Sequence, residues 1–253
     1  MKVSAIIPAR MASSRFPGKP LKSILGLPMV EHVRRRVLLS RSIDEVIVAT
    51  CDQEIFEAIK RFGGKAVMTA ETHQSCVDRV AEAAKNLDAD IILNVQGDMP
   101  LLNPGSLDQL VAPFLNDDQV LFTDMIGPLT IEEEFYSPNV VKVVVDLKWD
   151  ALFYSREPIP SLKKVSPKEK VSRYKQFGIN AYRRDSLELF TRWERTPLER
   201  AESIDMLRIL EHGVHIRTVV SLDSVVGVDT PEDLIRVEDI MRLDPVYLNY
   251  RKE

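Results

Sequence analysis

The sequence predicts an α/β fold, in which a doubly wound, mostly parallel sheet is followed by a mixed α+β second half. Nearly continuous apolar runs lie in the first part of the chain, at 3–7, 44–50, 65–68 and 90–95. Such runs are typical of parallel strands, which are buried on both faces. Amphipathic stretches separate them, at 28–39, 53–62 and 77–87. Helices of this kind are the crossovers that connect parallel strands.

Local patterns support these helices. In the stretch 28–39, Val30, Val33 and Val37 recur at the spacing of one helical face. Ser75, followed three residues later by Asp78, has the arrangement of a helix N-cap. We therefore expect a helix to begin at this serine.

The second half of the chain mixes strands and helices. The predicted strands are 140–145, 151–155 and 177–182, and the predicted helices are 186–193, 199–212 and 231–242. The last helix has Pro231 at its first position, where proline is favoured. Residues 159–173 hold two prolines and five lysines or arginines with little periodicity, which predicts a surface excursion rather than a linker between domains.

Length and composition suit a single domain of 253 residues, with a first half at 1–128 and a second half at 129–253. The net charge of −4 argues against nucleic acid or an anionic membrane as a partner. No apolar run reaches the roughly 20 residues that span a bilayer. The first residues lack the apolar region of a signal peptide, and Cys51 and Cys76 are too few for a disulfide framework. These features predict a cytoplasmic protein.

The loop after the first predicted strand, residues 8–20, concentrates groups that bind phosphate. It holds the cations Arg10, Arg15 and Lys19 and the hydroxyls of Ser13 and Ser14. Open α/β sheets bind ligands at the carboxyl ends of their strands, where backbone N–H groups can surround a phosphate. The loop matches neither the Walker A pattern nor the Gly-x-Gly-x-x-Gly fingerprint, so neither an NTPase nor a dinucleotide oxidoreductase fits. A solvated basic turn is the alternative.

This loop resembles the signature of the CMP-Kdo synthetases (3-deoxy-manno-octulosonate cytidylyltransferases). The similarity continues in order along essentially the whole chain, through IVAT at 47–50, GG at 63–64, MT at 68–69, HQS at 73–75, NVQGD at 94–98, NVVKV at 139–143, YSR at 154–156, IP at 159–160 and GVDTPEDL at 227–234. The resemblance implies a nucleotide-diphospho-sugar transferase-like fold. It also implies attack by the anomeric hydroxyl of an acidic 2-keto-3-deoxy sugar on the α-phosphate of CTP, with release of pyrophosphate.

Two aspartates are candidate metal ligands. Asp98 directly follows the fourth predicted strand, and Asp229 precedes the last predicted helix. Mg²⁺ is usually held by one or two carboxylates and by substrate phosphates. The resemblance implies that both aspartates bind Mg²⁺ and that Arg10, Arg15, Lys19 and Asp98 are the catalytic residues. For Asp229, a helix N-cap is an alternative that is compatible with metal binding.

The resemblance also implies which residues contact the nucleotide. Those of the cytosine and ribose pocket are Ala9, Arg10, His73, Gln74, Ser75 and Arg79. The predicted substrate-binding set further includes Ser13, Ser14 and Gln96. This sequence has Ser75-Cys76-Val77 where the family has Ser-Gly-Thr, and Cys51 where it has aspartate, although Asp52 follows. Loss of a glycine and a hydroxyl beside the base could change how the pyrimidine is held.

The residues expected on the sugar side depart further from the family. Gln176 stands where the family has His, and Asp205 and Met206 stand where it has Glu and Gln. Arg156 is the expected partner of the sugar carboxylate, because a guanidinium binds a carboxylate with two hydrogen bonds. A lost hydrogen-bond partner weakens selection of the original substrate, so these changes predict poor use of plain Kdo. The alternative is that Met206 packs within its helix.

Two other functions stay open. One is nucleotidyl transfer to another acceptor, such as an amino-substituted keto-acid sugar or a phosphonate. The other is a catalytically silent nucleotide-binding module, although a silent module has no use for both Asp98 and Asp229. The expected partners are therefore CTP and an acidic sugar, with Mg²⁺ as the cofactor and a homodimer as the assembly. We expect no partner that is a nucleic acid or a membrane.

Overall fold

The computed structural model describes residues 1–12, 16–73, 75–166, 170–223 and 226–251. The chain divides into two compact units: Met1–Asp108 with Val225–Glu253, called unit 1, and Gln109–Ser224, called unit 2. The predicted halves, 1–128 and 129–253, have other bounds, and their separate roles stay a prediction. No helix of the described ranges is long and apolar enough to cross a bilayer.

The described residues form strands and helices with the following bounds. The strands are β1 (Val3–Ala9), β2 (Ser23–Ile24), β3 (Leu27–Pro28), β4 (Glu45–Thr50), β5 (Lys65–Met68), β6 (Ile91–Asn94), β7 (Phe122–Pro128), β8 (Lys142–Val145), β9 (Ala151–Ser155), β10 (Tyr174–Arg183) and β11 (Arg217–Val220). The helices are α1 (Met29–Leu38), α2 (Gln53–Arg61), α3 (Cys76–Ala84), α4 (Pro104–Asn116), α5 (Glu132–Tyr136), α6 (Arg184–Arg192), α7 (Pro197–Glu202), α8 (Met206–Glu211), α9 (Pro231–Arg242) and α10 (Pro245–Tyr250). A short 3₁₀ helix covers Lys19–Leu21.

Unit 1 contains a parallel sheet in the order β6-β1-β4-β5. In this sheet Ile6 of β1 lies opposite Ile47 of β4 and opposite Asn94 of β6. The chain moves outward from β1 through β4 to β5 and then returns to the other side of β1 as β6. This reversal creates a topological switch point between β1 and β6, which is where open α/β sheets bind ligands.

The predicted elements of the first hundred residues are confirmed, with ends shifted by a few residues at most. β1 is buried along its whole length, as its continuous apolar run predicts. Ser75 caps α3, because its Oγ accepts a hydrogen bond from the backbone N–H of Asp78 at 3.1 Å. These local signals were sufficient because each strand and each cap lies within a short segment of sequence.

Unit 2 contains a mixed sheet, so the predicted change from a parallel to a mixed α+β second half is confirmed. β7 pairs with β11 in parallel and with β10 in the antiparallel direction. β8 forms antiparallel pairs with β10 and β9. Within 159–166 and 170–173, the described parts of the predicted surface excursion, there is neither helix nor strand.

The prediction of one helix at 199–212 is wrong. The segment forms α7 and α8, which are separated at Ser203, where φ is 55°. This left-handed conformation cannot continue a right-handed helix. Sequence analysis also missed α4, β7 and β11. In β7, the polar Thr123 and Asp124 and the glycine at 127 interrupt the apolar pattern that identifies a strand.

Candidate active site

The carboxyl ends of β1 and β6 border a cleft in unit 1, at the switch point of its sheet. The cleft has a volume of about 370 Å³ and is lined by Pro8, Ala9, Arg10, Ala12, Lys19, Pro20, Met29, Cys76, Gln96, Gly97, Asp98 and Asp229. A Cβ atom at Gly97 would lie 3.1 Å from the carbonyl oxygen of Pro8, so glycine allows the two strand ends to approach each other closely. The cleft therefore brings together the predicted residues Ala9, Arg10, Lys19, Gln96, Asp98 and Asp229.

Lys19 joins the two predicted metal ligands. Its Nζ donates hydrogen bonds to Asp98 Oδ2 at 2.7 Å, to Asp229 Oδ1 at 3.2 Å and to the carbonyl oxygen of Val228 at 2.8 Å. The Lys19 side chain is 12% exposed, whereas those of Asp98 and Asp229 are 32% and 47% exposed. A predicted phosphate-binding cation thus lies between two carboxylates that solvent can reach.

The start of α9 orients Asp229. Thr230 Oγ1 accepts a hydrogen bond from the backbone N–H of Asp233 at 3.2 Å, while Asp233 Oδ2 accepts from the N–H groups of Asp229 at 3.0 Å and of Thr230 at 2.9 Å. This capping box satisfies the helix terminus without the Asp229 carboxylate. The N-cap role considered for Asp229 therefore belongs to Thr230, and the Asp229 carboxylate faces Lys19.

The donor set of the cleft fits magnesium. Among the described residues, no group of three or more His, Cys, Asp or Glu side chains could hold a metal ion. Asp98 and Asp229 supply two carboxylates, which is the share that Mg²⁺ takes from proteins when waters and substrate phosphates complete its octahedron. A structural zinc site would need four protein ligands. Magnesium binding by these two aspartates stays a prediction.

A smaller pocket of about 60 Å³ adjoins the cleft. It is lined by Pro8, Ala9, Arg10, His73, Ser75, Cys76 and Arg79, four of which also line the cleft. The described residues that were predicted for the cytosine and ribose pocket thus lie together. Their contacts with a nucleotide remain predicted.

Hydrogen bonds hold the side chains of this smaller pocket. His73 Nε2 donates to Glu82 Oε2, which also accepts from the backbone N–H of Ala70 at 2.9 Å. These bonds, above all the one from His73, lower the pKa of the Glu82 carboxyl group. Arg79 Nη1 donates to Thr69 Oγ1. Sequence analysis missed Glu82, and its only signal was its position three residues after Arg79, on the same face of α3.

The loop after β1 is anchored at its base. The backbone N–H of Met11 donates to Asp52 Oδ2 at 2.8 Å, and that of Gly18 donates to the carbonyl oxygen of Met11 at 3.1 Å. Asp52, next to Cys51, therefore fixes the start of the loop. The predicted roles of Ser13, Ser14, Arg15 and Gln74 fall on residues that lie outside the described ranges.

Arg156, predicted to bind the sugar carboxylate, is held by carbonyl groups of unit 2. Nε donates to Glu202 O at 2.7 Å, Nη1 to Pro138 O at 2.9 Å and Nη2 to Ser203 O at 3.3 Å. A guanidinium has five N–H bonds, so two remain for a ligand. Sugar binding by Arg156 stays a prediction, but its guanidinium is firmly oriented.

Gln176 and Asn180 of β10 both contact the carboxylate of Asp124 in β7. Gln176 Nε2 donates to Asp124 Oδ1 at 3.1 Å, and Asn180 Nδ2 donates to the same oxygen at 3.4 Å. Gln176 lies opposite Ile126 and Asn180 lies opposite Asp124, so β10 has two more residues than β7 over this interval. This β-bulge directs two amides to one carboxylate.

Two aspartates of unit 2 have carboxyl groups with raised pKa values. Asp124 is fully buried, and the loss of hydration raises the pKa of its carboxyl group to about 7, although the hydrogen bond from Gln176 opposes this shift. Burial likewise raises the pKa of Asp205, whose charge interacts with Asp124. Met206 is 1% exposed, which confirms the alternative in which it packs within the protein. Sequence analysis missed Asp124.

Comparisons with known proteins complete the description. Residues 4–216 match the profile of a protein family described as Cytidylyltransferase. A 3-deoxy-manno-octulosonate cytidylyltransferase of Geobacter metallireducens is 45% identical over 245 residues, which cover 94% of this chain and 96% of that protein. The protein of the same name from Syntrophus aciditrophicus is 46% identical over 243 residues, which cover 95% and 97%. A solved structure of CMP:2-keto-3-deoxy-manno-octonic acid synthetase complexed with CTP is 39% identical, with a TM-score of 0.91 over 96% of this chain and 99% of that chain.

Proposed function

The chain belongs to the 3-deoxy-manno-octulosonate cytidylyltransferase (CMP-Kdo synthetase) family, and we propose that it transfers CMP from CTP to Kdo and releases pyrophosphate. The observation that carries this proposal is the contact of Lys19 with Asp98 and Asp229 at the switch point of the sheet. It supports the proposal because a cation that could bind phosphate and two carboxylates that could bind a divalent metal lie in one cleft.

In the proposed reaction, the anomeric oxygen of the sugar bonds to the α-phosphorus of CTP. The bond from this phosphorus to the oxygen shared with the β-phosphate breaks, so pyrophosphate leaves, and the hydroxyl proton passes to solvent. Such transfers depend mainly on positioning and on neutralisation of charge. Lys19, Arg10 and Arg15 neutralise the triphosphate. Asp98 and Asp229 would hold Mg²⁺, which supplies Lewis-acid neutralisation of phosphate charge when it is bound.

The smaller pocket is proposed to bind the cytosine and ribose. Its ligand contacts would come from Ala9, Arg10, His73, Ser75 and Arg79, with Gln74, Ser13, Ser14 and Gln96 completing the set that the family resemblance implies. The bond from His73 to Glu82 fixes one face of this pocket. Cys76 replaces the family's glycine at its edge and lines the cleft as well.

On the sugar side, Arg156, Gln176 and Asp205 are proposed to contact the acceptor. Met206 is buried and has no group that could bond a sugar hydroxyl. Gln176 and Asp205 do keep groups that can bond a hydroxyl, so the expectation that plain Kdo is a poor acceptor depends on how these two residues meet the sugar. An amino-substituted keto-acid sugar is the second candidate. The observation in its favour is that Asp124, which contacts Gln176, also interacts with the charge of a second acid, Asp205.

We also propose that the protein acts in lipopolysaccharide biosynthesis, in the cytoplasm and as a homodimer. The names of the relatives support the first part, because Kdo is the sugar that they activate. The low cysteine content supports a reducing compartment. The homodimer follows from the family resemblance, and sedimentation equilibrium of the purified chain tests it.

Release of pyrophosphate from CTP tests the proposed function. The acceptors are Kdo, an amino-substituted analogue and a small phosphonate, each with and without Mg²⁺, and Asp98→Asn is the inactive control. Magnesium-dependent release with Kdo is the expected result. Release with the phosphonate alone would show that the acceptor is a phosphonate and not Kdo. CTP binding in calorimetry without turnover of any acceptor would favour the silent module.

A further inference from the structure

Asp124 is the centre of a buried polar cluster in unit 2. The proposed reaction assigns no direct role to this carboxyl group. Its side chain is fully buried, and Gln176 and Asn180 donate hydrogen bonds to its Oδ1. Tyr182 Oη donates to Asn180 Oδ1 at 2.9 Å, which holds that amide. No lysine, arginine or histidine of the described residues forms an ion pair with Asp124. Burial of a carboxylate without a cation is costly, so this arrangement calls for a functional reason.

The contact with Asp124 determines which end of the Gln176 amide faces outward. An ionised carboxylate only accepts hydrogen bonds, so the amino group of Gln176 must face Asp124. The carbonyl oxygen, Oε1, then lies at the opposite end of the amide. Gln176 is half-buried, and none of the described residues donates a hydrogen bond to its Oε1. Asp124 therefore takes one N–H of the Gln176 amide and leaves the acceptor Oε1 at the opposite end for a ligand.

The β-bulge holds the Gln176 backbone in place. Gly178 has a φ of 72°, which gives the bulge a conformation that favours glycine. The Phe177 ring occupies the space beside Gly127, where a Cβ atom would lie 2.1 Å from the ring. Phe177 is 8% exposed, so its packing fixes the strand between Gln176 and Gly178. The direction of the Gln176 side chain is thus built into the packing of β7 and β10.

We infer that Asp124 is a positioning residue that turns Gln176 Oε1 toward the acceptor sugar, and that the site therefore selects a sugar that offers a hydroxyl or amino group there. The inference depends on the proposed function, because it takes Gln176 as a contact of the sugar. A histidine, the residue of the family at this position, donates or accepts according to its protonation. Gln176 held by Asp124 presents its Oε1, an acceptor that does not change with pH, so the pair favours a sugar with a donor at this position.

A double-mutant cycle tests the link between the two residues. Asp124→Leu, Gln176→Leu and the double variant are assayed for kcat and KM of the sugar at saturating CTP, at about pH 8, where the carboxylate is ionised. Asp124→Leu should raise the KM of the sugar about tenfold, the effect of one lost hydrogen bond, and should leave the KM of CTP unchanged. In the Gln176→Leu background the same change should have no further effect.

Two variants serve as controls for the cycle. Asp124→Asn keeps an oxygen that can accept from Gln176, so it should restore a KM close to that of the wild type. Asn180→Leu removes the other amide but leaves the bond between Gln176 and Asp124, so it should change stability without changing the KM of the sugar. If Asn180→Leu raises this KM as much as Asp124→Leu does, the cluster acts through folding and the inference is wrong.

Sugars with altered functional groups identify the group that donates a hydrogen bond to Gln176 Oε1. Kdo, its amino-substituted analogue and deoxy analogues that each lack one hydroxyl are compared in the wild type and in Gln176→Leu. The wild type should reject one deoxy analogue by about tenfold, and Gln176→Leu should not distinguish it. A lower KM for the amino analogue would identify an ammonium donor, and a lower KM for Kdo a hydroxyl. Equal discrimination in both proteins would overturn the inference.

A spectroscopic measurement does not depend on turnover. The side-chain NH₂ resonances of Gln176, assigned by their absence in Gln176→Leu, should shift as Asp124 titrates and should stay constant in Asp124→Asn. Constant resonances in the wild type would contradict the contact. Independent effects of the two substitutions on KM in an active enzyme would overturn this inference alone, whereas a wild type that uses no sugar would overturn the proposed function as well.

Discussion

The two units treat their carboxylates in opposite ways. In unit 1, Asp98 and Asp229 are partly exposed and share the ammonium group of Lys19. In unit 2, Asp124 is fully buried and receives hydrogen bonds from two amides. A cation between solvent-exposed carboxylates can be replaced by another cation, or can move to a phosphate. Amides that a bulged strand directs to a buried carboxylate have no such freedom.

This difference matches the proposed roles of the two units, in which unit 1 binds the nucleotide and unit 2 binds the sugar. The nucleotide side must accept and release a highly charged triphosphate in every cycle, so its charges need partners that exchange easily. The sugar side must distinguish similar hydroxylated molecules, which requires donors and acceptors in fixed positions. We therefore expect substitutions in the cleft of unit 1 to alter turnover most. Substitutions in the Asp124 cluster of unit 2 should alter stability or KM.

The largest effect is expected for Asp98→Asn. Loss of a carboxylate that is proposed to hold the metal should lower kcat by about a thousandfold, since metal neutralisation of phosphate charge is worth several kcal/mol. Asp229→Asn should act in the same direction. Pyrophosphate release across a magnesium titration measures the effect, and the melting temperature of Asp98→Asn should stay near that of the wild type. A normal kcat at ordinary magnesium would show that Asp98 is not a ligand.

Lys19→Ala should have the next largest effect. Removal of an ionised partner of phosphate costs about 1.5–3 kcal/mol, so kcat/KM for CTP should fall by roughly ten- to a hundredfold. Lys22→Ala is the matched control, because Lys22 is exposed and contacts the ring of Phe16 rather than a carboxylate. Calorimetry of CTP binding and steady-state kinetics provide the measurements. Equal losses in the two variants would mean that the loop acts only through its general charge.

Asp124→Asn should change how stability depends on pH. The pKa of Asp124 is raised from 3.8 to about 7, so the folded protein keeps a proton that the unfolded chain releases between these values. The wild type therefore loses stability as the pH rises through this window, by at most about 4 kcal/mol. Asparagine does not titrate, so the unfolding free energy of the variant should rise relative to that of the wild type between about pH 4 and pH 7.

Urea denaturation of the two proteins at several pH values measures this gain. The slope of the unfolding free energy against urea concentration must be the same in the wild type and in the variant, because a changed slope would indicate a different unfolded ensemble. A difference in unfolding free energy that is constant across the pH range would contradict the titration of a buried carboxyl group at Asp124.

The smallest effect is expected for Thr230→Ala. Loss of the N-cap hydroxyl should lower the free energy of unfolding by about 1 kcal/mol, and Thr230→Ser should restore most of it. The cap leaves the Asp229 carboxylate to Lys19. The alanine variant should therefore also bind magnesium more weakly and need a higher magnesium concentration for half-maximal turnover. Thermal unfolding and a magnesium titration measure the two effects. Unchanged stability would mean that Asp233 alone satisfies the start of α9.

The fold and the cleft of unit 1 could largely be predicted from the sequence. Each strand is a short apolar run and each cap is a local pattern, so the signals do not depend on distant residues. Lys19 and Asp98 are 79 residues apart in sequence, yet both follow strands that end at the same edge of the sheet. The strand-end rule therefore predicted their proximity, although not that Lys19 would lie between both aspartates.

The Asp124 cluster of unit 2 could not be predicted to the same depth. The strand that holds Asp124 lacks a clear apolar pattern, and the bulge that directs Gln176 and Asn180 to it is a property of pairing between strands. Register between distant segments leaves no local signal in one sequence. The break at Ser203 was missed for a related reason, since a serine in a left-handed conformation depends on its surroundings rather than on its helix propensity.

The cleft of unit 1 is assembled from both ends of the chain, which has a consequence for protein synthesis. Lys19 and Asp98 are made early, whereas Asp229 follows only after the whole of unit 2. The same late segment completes an apolar cluster of Phe16, Ile24, Met29, Val228, Val237 and Met241. Until it emerges from the ribosome, a nascent chain exposes the early half of this cluster. A product that terminates within unit 2 is therefore a target for chaperones and proteases and not a partly active enzyme.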